Sequence, residues 1–437
     1  MALRSTSSHA ARHSVSSSVA FRFCVLYFAL YAAATQILGG VLLLPGFQFP
    51  ALGTVWPLRN ITLWLAEHVF GLTPPLLYTG NSGDTAFHWV QLALLLTIAI
   101  VATAIWSAWD RGQRDYPALR KWFRVFLRFA LAAQMFYYGM AKIIPTQFPP
   151  PNLVTLIEPV GSASLSDLLW TFIGSSTPYQ IFTGCAEMLA GVLLVIPKTT
   201  MLGALIGMLD MTQVFLLNMT YDFGLKQISF HLLGMFAFLL APEFTRLLNV
   251  LVLNRPTEPS PERPLFATAR ANRLALGAQV IAGLYLIAMF TSLATRSYYN
   301  EGGPGAPRSP FYGIWNVEQL AIDGEVRPVA LNDYDRRWRR VIFDTPTVVV
   351  FQRTDDSLAH YGASFVGDSR TIALTKRNSR TWSAQFSVER PAPDRLILDG
   401  EMDHLRIQMQ LRRVELDTFR LLRSTFRWVR PPDPFAG

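Results

Sequence analysis

Most of the ionisable side chains within the apolar stretches of the first 295 residues fall between residues 122 and 241: Arg124, Arg128, Lys142, Glu187, Asp210 and His231. Tyr221, Asp222 and Lys226 stand immediately beside them. A charge inside a bilayer is costly, so such residues usually face a partner, a cavity or a proton path. Lys142 and Glu187 are the candidate catalytic pair, as groups that could exchange a proton, because a Lys in a desolvated site can act as a base. Arg128, Asp210, His231 and Tyr221 are the candidate ligand-binding residues around them. Two readings stand at this point. The charges form either a packing network that sets helix register or a polar pocket in the outer half of the membrane.

No other chemistry is legible. There is no catalytic triad, phosphate loop, haem-attachment motif or dinucleotide-binding glycine pattern, and no metal-ligand spacing. Two cysteines, Cys24 and Cys185, exclude a disulfide scaffold and a Cys-built metal site. His88 and His231 are isolated and read as helix-face residues.

The elements that must position these residues follow from the charge distribution. Charged types make up 16% of the 437 residues and hydrophobic types 51%, against roughly 25% charge in an ordinary soluble domain. The first 295 residues hold 18 basic and 12 acidic side chains; the last 142 hold 21 and 18. This is the profile of a helical membrane domain, 21–295, after a Ser-rich N-terminal segment, 1–20, and followed by a soluble domain at 308–437. A spanning helix needs about 20 apolar residues. Seven runs qualify as expected spans: Phe21–Leu44, Phe87–Ala108, Trp122–Ile144, Tyr179–Ile196, Met201–Met219, Gln227–Ala241 and Leu274–Thr295. The first follows a Ser-rich, Arg-containing segment and has two readings, a cleaved signal peptide or a retained span; its length, Arg22 and Gln36 favour the retained span.

Lys and Arg are retained on the cytoplasmic side. Arg4 and Arg12 precede span one, and Arg111, Arg114, Arg120 and Lys121 separate spans two and three. Lys198 follows span four. Arg246, Arg255, Arg263, Arg270 and Arg273 precede span seven. The alternate loops hold Arg59 in 45–86 and no Lys or Arg in 145–178. The expected topology is a cell inner or plasma membrane protein with N-terminus inside and C-terminal domain outside. At about 1.5 Å rise per residue, Lys142 falls near the outer surface and Glu187 roughly 12 Å below it. Asp210 falls near mid-membrane and Arg128 roughly 9 Å above the inner face.

Residues 308–437 alternate with period two at Arg339–Phe343, Thr347–Arg353, Arg370–Lys376, Thr381–Glu389, Arg395–Gly400 and Leu405–Arg413. Turn signals stand at Asp355-Asp356-Ser357, Gly367-Asp368, Pro391–Asp394 and Asp399-Gly400. The expectation is an all-β, antiparallel, barrel-like domain. Its opening Gly313-Ile314-Trp315 resembles the Gly-x-Trp of lipocalin-type barrels, where the Trp plugs one end. Arg336, Arg337, Arg339 and Arg340 stand among Asp333, Asp335 and Asp344, which reads as a salt-bridged face and not as a nucleic-acid site. Three smaller features complete the reading. Gly203-x-x-x-Gly207 permits close helix approach, within the chain or between copies. The loop 80–85 would supply Ser82 or Asp84 as a helix cap. The Pro-rich loop 145–167 reads as a rigid outer hairpin over the pocket.

The run Arg128…Gly139-Met140-Ala141-Lys142 resembles the DoxX/DoxD-like membrane family. Glu187-Met188-Leu189-Ala190-Gly191, with Gly203-Ala204 opening the next span, adds to the likeness. The resemblance covers residues 121–242. It implies a four-helix core and, through the DoxD subunit of thiosulfate:quinone oxidoreductase, a quinone as cofactor and protein partners in a membrane redox complex. A more distant resemblance links the Gly-x-x-Lys of Lys142 to the HTTM domain of vitamin K-dependent gamma-carboxylases, which also carry an outer β-rich domain. The alternative function is a non-enzymatic, membrane-anchored scaffold whose outer barrel binds lipid or a protein partner.

Overall fold

The structure is a computed structural model that describes residues 15–73, 83–110, 116–260, 264–300, 302–328, 337–367, 370–376, 378–423 and 428–429. Arg4, Arg12, Gly80, Asn81, Ser82, Arg111, Arg114, Arg263, Asp333, Asp335, Arg336 and Asp368, which entered the reading above, lie outside the described residues. The helices are α1 Val15–Ala34, α2 Gln36–Val41, α3 Leu58–His68, α4 Ala86–Trp109, α5 Pro117–Ile143 and α6 Leu165–Gly174. They continue with α7 Thr177–Val195, α8 Thr200–Thr220, α9 Lys226–Leu240, α10 Phe244–Leu251 and α11 Ala269–Asn300. The chain divides into two compact units, Met1–Gln147 with Ile181–Ala294, and Phe148–Gln180 with Thr295–Gly437.

The first unit is helical. Among the described residues, five helices are long and apolar enough to cross a membrane: Ala86–Trp109, Thr177–Val195, Pro197–Thr220, Lys226–Leu251 and Ala269–Asn300. The other two expected runs differ for physical reasons. Phe21–Leu44 is divided at Thr35, whose backbone is extended (φ −111°, ψ −177°), so α1 and α2 are separate helices. Trp122–Ile144 lies in α5, which is continuous for 27 residues but carries Arg120, Lys121, Arg124, Arg128 and Lys142. Burial explains how α5 tolerates them. It is buried from Leu127 through Phe136 except at the half-buried Phe129, and its apolar side chains pack with Phe28 and Tyr31 of α1, Leu194 of α7, Phe236 of α9 and Phe290 of α11. Gly203 and Gly207 act within the chain. A Cβ on Gly203 would lie 2.8 Å from Leu193 Cβ of α7, and one on Gly207 would collide with the Phe236 ring of α9.

The second unit is built on nine strands: β1 Gly313–Ile322, β2 Glu325–Val326, β3 Trp338–Thr345, β4 Val348–Arg353, β5 Leu358–Val366, β6 Thr371–Lys376, β7 Ser379–Ala392, β8 Arg395–Met402 and β9 Leu405–Arg413. Strands β3 to β9 pair antiparallel in chain order, β3 pairs β1, and β1 pairs β9. The result is a closed eight-stranded antiparallel barrel with the short β2 attached to β1. Closure leaves no open sheet edge in the ring. The inward residues of the period-two pattern fill the interior: Trp315, Phe343, Phe351, Phe386, Leu396 and Met409 are each at most 1% exposed. Trp315 also donates its indole N–H to the Phe311 carbonyl oxygen at 2.9 Å.

One expectation is corrected here, and one strand had not been expected. Asp399-Gly400 is not a turn but the middle of β8; the turn is Asp403-His404, at φ 53° and 65°. Gly400 is required by close approach, because a Cβ there would collide with the Gln385 carbonyl oxygen of β7. Strand β5 gave no sequence signal because two of its inward positions are the small Ala359 and Ala363.

One patch of the barrel's outer face is also apolar. Ile314, Ile342 and Val350 alternate with the inward residues and are buried with Leu153, against which Val154, Leu156 and Ile157 pack. The Leu153 N–H donates to the Asp344 carboxylate. In the segment expected as a rigid outer hairpin, the residues around Leu153 therefore pack on the barrel. The segment then leads into α6, whose first turn carries a Ser164/Asp167 capping box. The arginine cluster is engaged too. Arg337 is buried and donates to the Arg327 carbonyl, Arg339 pairs with Asp356 at 2.6 Å, and Arg340 donates to Asn316 and Gln352.

Candidate functional site

The site begins with two glycines. A Cβ on Gly184 of α7 would lie 2.7 Å from the Gly139 carbonyl oxygen of α5, and one on Gly139 would lie 2.9 Å from the Gly184 carbonyl oxygen. The two backbones thus touch, an approach that small residues permit. Residues three apart share a helix face. One turn on from the contact, Lys142 follows Gly139 and Glu187 follows Gly184, and the same crossing brings them together. Lys142 Nζ lies 2.7 Å from both Oε1 and Oε2 of Glu187. Lys142 is 7% exposed and Glu187 1%. A buried pair of this kind is net neutral, and its attraction offsets the loss of hydration only while both partners are present.

Further polar groups lie beside the pair. Lys142 Nζ stands 5.7 Å from the centre of the Tyr138 ring. The Tyr138 hydroxyl accepts from Gln36 Nε2 at 2.9 Å, and the same amide nitrogen donates to Gln134 Oε1 at 3.0 Å. Gln36 is the first residue of α2, so the break at Thr35 is what turns this amide toward α5. Asp210 of α8 lies within electrostatic reach of both Glu187 and Lys142, and its buried Oδ2 has no hydrogen-bond partner among the described residues.

The other expected site residues have different neighbours. Arg128 donates to the carbonyl oxygens of Leu194 and Val195 at 2.8 and 2.7 Å, which satisfies the C-terminus of α7. These bonds tie it to that helix end. His231 Nδ1 stands 2.6 Å from the Gln227 carbonyl, so that nitrogen carries the proton and Nε2 accepts from the Tyr27 hydroxyl at 2.7 Å. The imidazole stacks on Tyr31 with 3.6 Å between ring centres. Tyr221 closes the C-terminus of α8 through its backbone, beside the exposed Asp222–Lys226 ion pair that holds the Asp222 carboxyl below its ordinary value. Asp84 caps α9 and not the adjacent α4, accepting from the N–H groups of Lys226 and Gln227 at 2.7 and 3.0 Å. No group of three His, Cys, Asp or Glu side chains is placed to hold a metal among the described residues.

The structure thus brings Lys142, Glu187 and Asp210 into one neighbourhood and separates Arg128, His231 and Tyr221 from it. Sequence reading missed Gly184, Tyr138 and Gln134. A signal for the first was present, since Gly184-Cys185-Ala186-Glu187 mirrors Gly139-Met140-Ala141-Lys142. The amides of Gln36 and Gln134 were visible only as uncharged polar residues within apolar runs.

No family model matches the chain, and no solved structure matches it. It is similar to the uncharacterized protein YwoB of Bacillus subtilis (strain 168), at 37% identity over 131 residues. That stretch is 30% of this chain and 83% of the relative.

Proposed function

We propose, for a chain that belongs to the family of the Bacillus subtilis protein YwoB, a role as the DoxX-like membrane subunit of a quinone-linked oxidoreductase or redox-protective complex. The observation that carries this reading is the buried Lys142–Glu187 pair, with Asp210 in reach and Tyr138 beside it. Such a centre can hold a proton and release it toward a reduced head group nearby, while a protein partner supplies the electrons. In this reading the helical unit has seven spans. The break at Thr35 and the cations of α5 are tolerated because neighbouring helices bury them. In the same reading the N-terminus is cytoplasmic and the barrel outside, which the excess of Lys and Arg in alternate loops supports. The test is solvent extraction of protein purified in mild detergent, with mass spectrometry for quinones, and assay of Lys142→Met in native membranes. Absence of quinone, together with unchanged behaviour of Lys142→Met, sinks the proposal.

The second reading is a membrane-anchored scaffold without enzymatic activity. The packed barrel interior, with Trp315, Phe343, Phe351 and Phe386 in it, favours a protein partner on the barrel surface over a lipid inside. Affinity capture from gently solubilised membranes separates the two readings. Recovery of a dehydrogenase or dismutase supports the first.

A further inference from the structure

The break at Thr35 opens a cleft of ≈ 430 Å³ in the helical unit, lined by Gln36, Gly40, Phe49, Gln134, Tyr137 and Phe290 among others. None of its lining residues is charged. Gln134 is 2% exposed, yet only its Oε1 is engaged, by Gln36; among the described residues its Nε2 has no hydrogen-bond partner. An amide nitrogen has two N–H groups to donate, and those of Gln134 are unengaged where the residue lines the cleft. Gly40 keeps that donor uncovered, because a Cβ there would lie 2.9 Å from Gln134 Nε2. Gln36 makes its hydrogen bonds to Gln134 and Tyr138 through Nε2, which leaves its Oε1 as an acceptor in the same cleft. Tyr137 and Phe49, each 42% exposed, form half-open aromatic walls.

We propose that this cleft binds a neutral amphiphile with an oxygenated ring for a head. The head accepts a hydrogen bond from Gln134 Nε2 and, when it carries a hydroxyl, donates one to Gln36 Oε1. Its apolar part lies along Tyr137, Phe290 and Leu293. An ionic head is disfavoured because the cleft offers no countercharge to offset desolvation. This rests on the quinone reading above and specifies it. The head group docks at the two amides, and Gln36, which also bonds the Tyr138 hydroxyl, stands between it and Lys142.

The test uses the full chain in lipid nanodiscs, titrated with decylubiquinone and followed by quenching of tryptophan fluorescence. Extracts of the same preparations are analysed for co-purified neutral lipids. Gln134→Leu and Gly40→Ala are expected to weaken binding about tenfold or more with an unchanged melting temperature. If either variant melts early, Tyr137→Leu on the half-exposed wall replaces it. Binding of decylubiquinone that these variants leave untouched overturns the cleft and leaves the quinone reading standing. A wild-type protein that ignores decylubiquinone but carries another neutral lipid, lost in Gln134→Leu, overturns the quinone reading and keeps the cleft. Neither binding nor co-purified lipid overturns both.

Discussion

Gly139 and Gly184 face each other across the α5–α7 crossing, and each would drive a Cβ into the other's carbonyl oxygen, at 2.9 and 2.7 Å. The obstacle is backbone, which cannot rotate aside as a side chain can. Gly184→Ala therefore pushes the helices apart and is expected to cost about 1–3 kcal/mol. It also lengthens the Lys142–Glu187 contact. Thermal unfolding in detergent checks the first expectation. An alanine variant as stable as the wild type removes the crossing from the account.

The ion pair should be strongly coupled. Lys142→Met leaves a buried carboxylate and Glu187→Gln leaves a buried ammonium. Each is expected to destabilise by about 3–5 kcal/mol. The double variant leaves no charge and should lie close to the wild type. A double-mutant cycle measures this, and simple additivity of the two losses would show that the partners do not interact.

Arg128 is expected to act on stability and not on ligand binding. Arg128→Met removes charge-assisted bonds to two α7 carbonyls, a loss of about 1.5–3 kcal/mol for each if left unreplaced. Hydrogen exchange at the C-terminal turn of α7 should rise, while ligand titrations keep their midpoint. A shifted midpoint with unchanged exchange would return Arg128 to the binding site.

Gly400→Ala tests the barrel. Its Cβ meets the Gln385 carbonyl in the β7–β8 ladder, so strand separation or a bulge must follow. The expected result is a loss of about 1–3 kcal/mol, with increased exchange confined to β7 and β8. Wild-type exchange in both strands would contradict the register of the pairing.

Asp344 supplies a pH dependence outside the helical unit. Burial raises its carboxyl above the ordinary value, and the Leu153 N–H and Arg308 offset this only in part. In the window above about pH 3.9, the folded state holds this proton longer than the unfolded chain does. The Asp344 contribution to stability is therefore present at lower pH and is lost as pH rises through the raised value. Asp344→Asn should flatten that slope, read by melting temperature across the acid range. A slope identical to wild type assigns the dependence to other groups.

Local patterns were open to sequence reading because they repeat within one element. Strand β9 is the plainest case. Leu405–Arg412 alternates strictly, and the strand runs one residue further, to Arg413. Apolar runs similarly located α4, α7, α8, α9 and α11, and Lys142 and Glu187 stood out because a charge in an apolar run is rare. Asp399-Gly400 misled because one glycine can serve a turn or a close approach, and the neighbour that decides lies in another strand.

Tertiary structure decided the rest. Lys142 and Glu187 are 45 positions apart, and nothing local says that they meet, or that Arg128 spends its charge on a helix end. The barrel closes because β1 finds β9, and residues near Leu153 join it because Ile314, Ile342 and Val350 leave an apolar patch outside. Periodicity reports which face of an element avoids water. Which surface covers that face depends on the shapes that remain once every element has formed, and those shapes exist only in the folded chain.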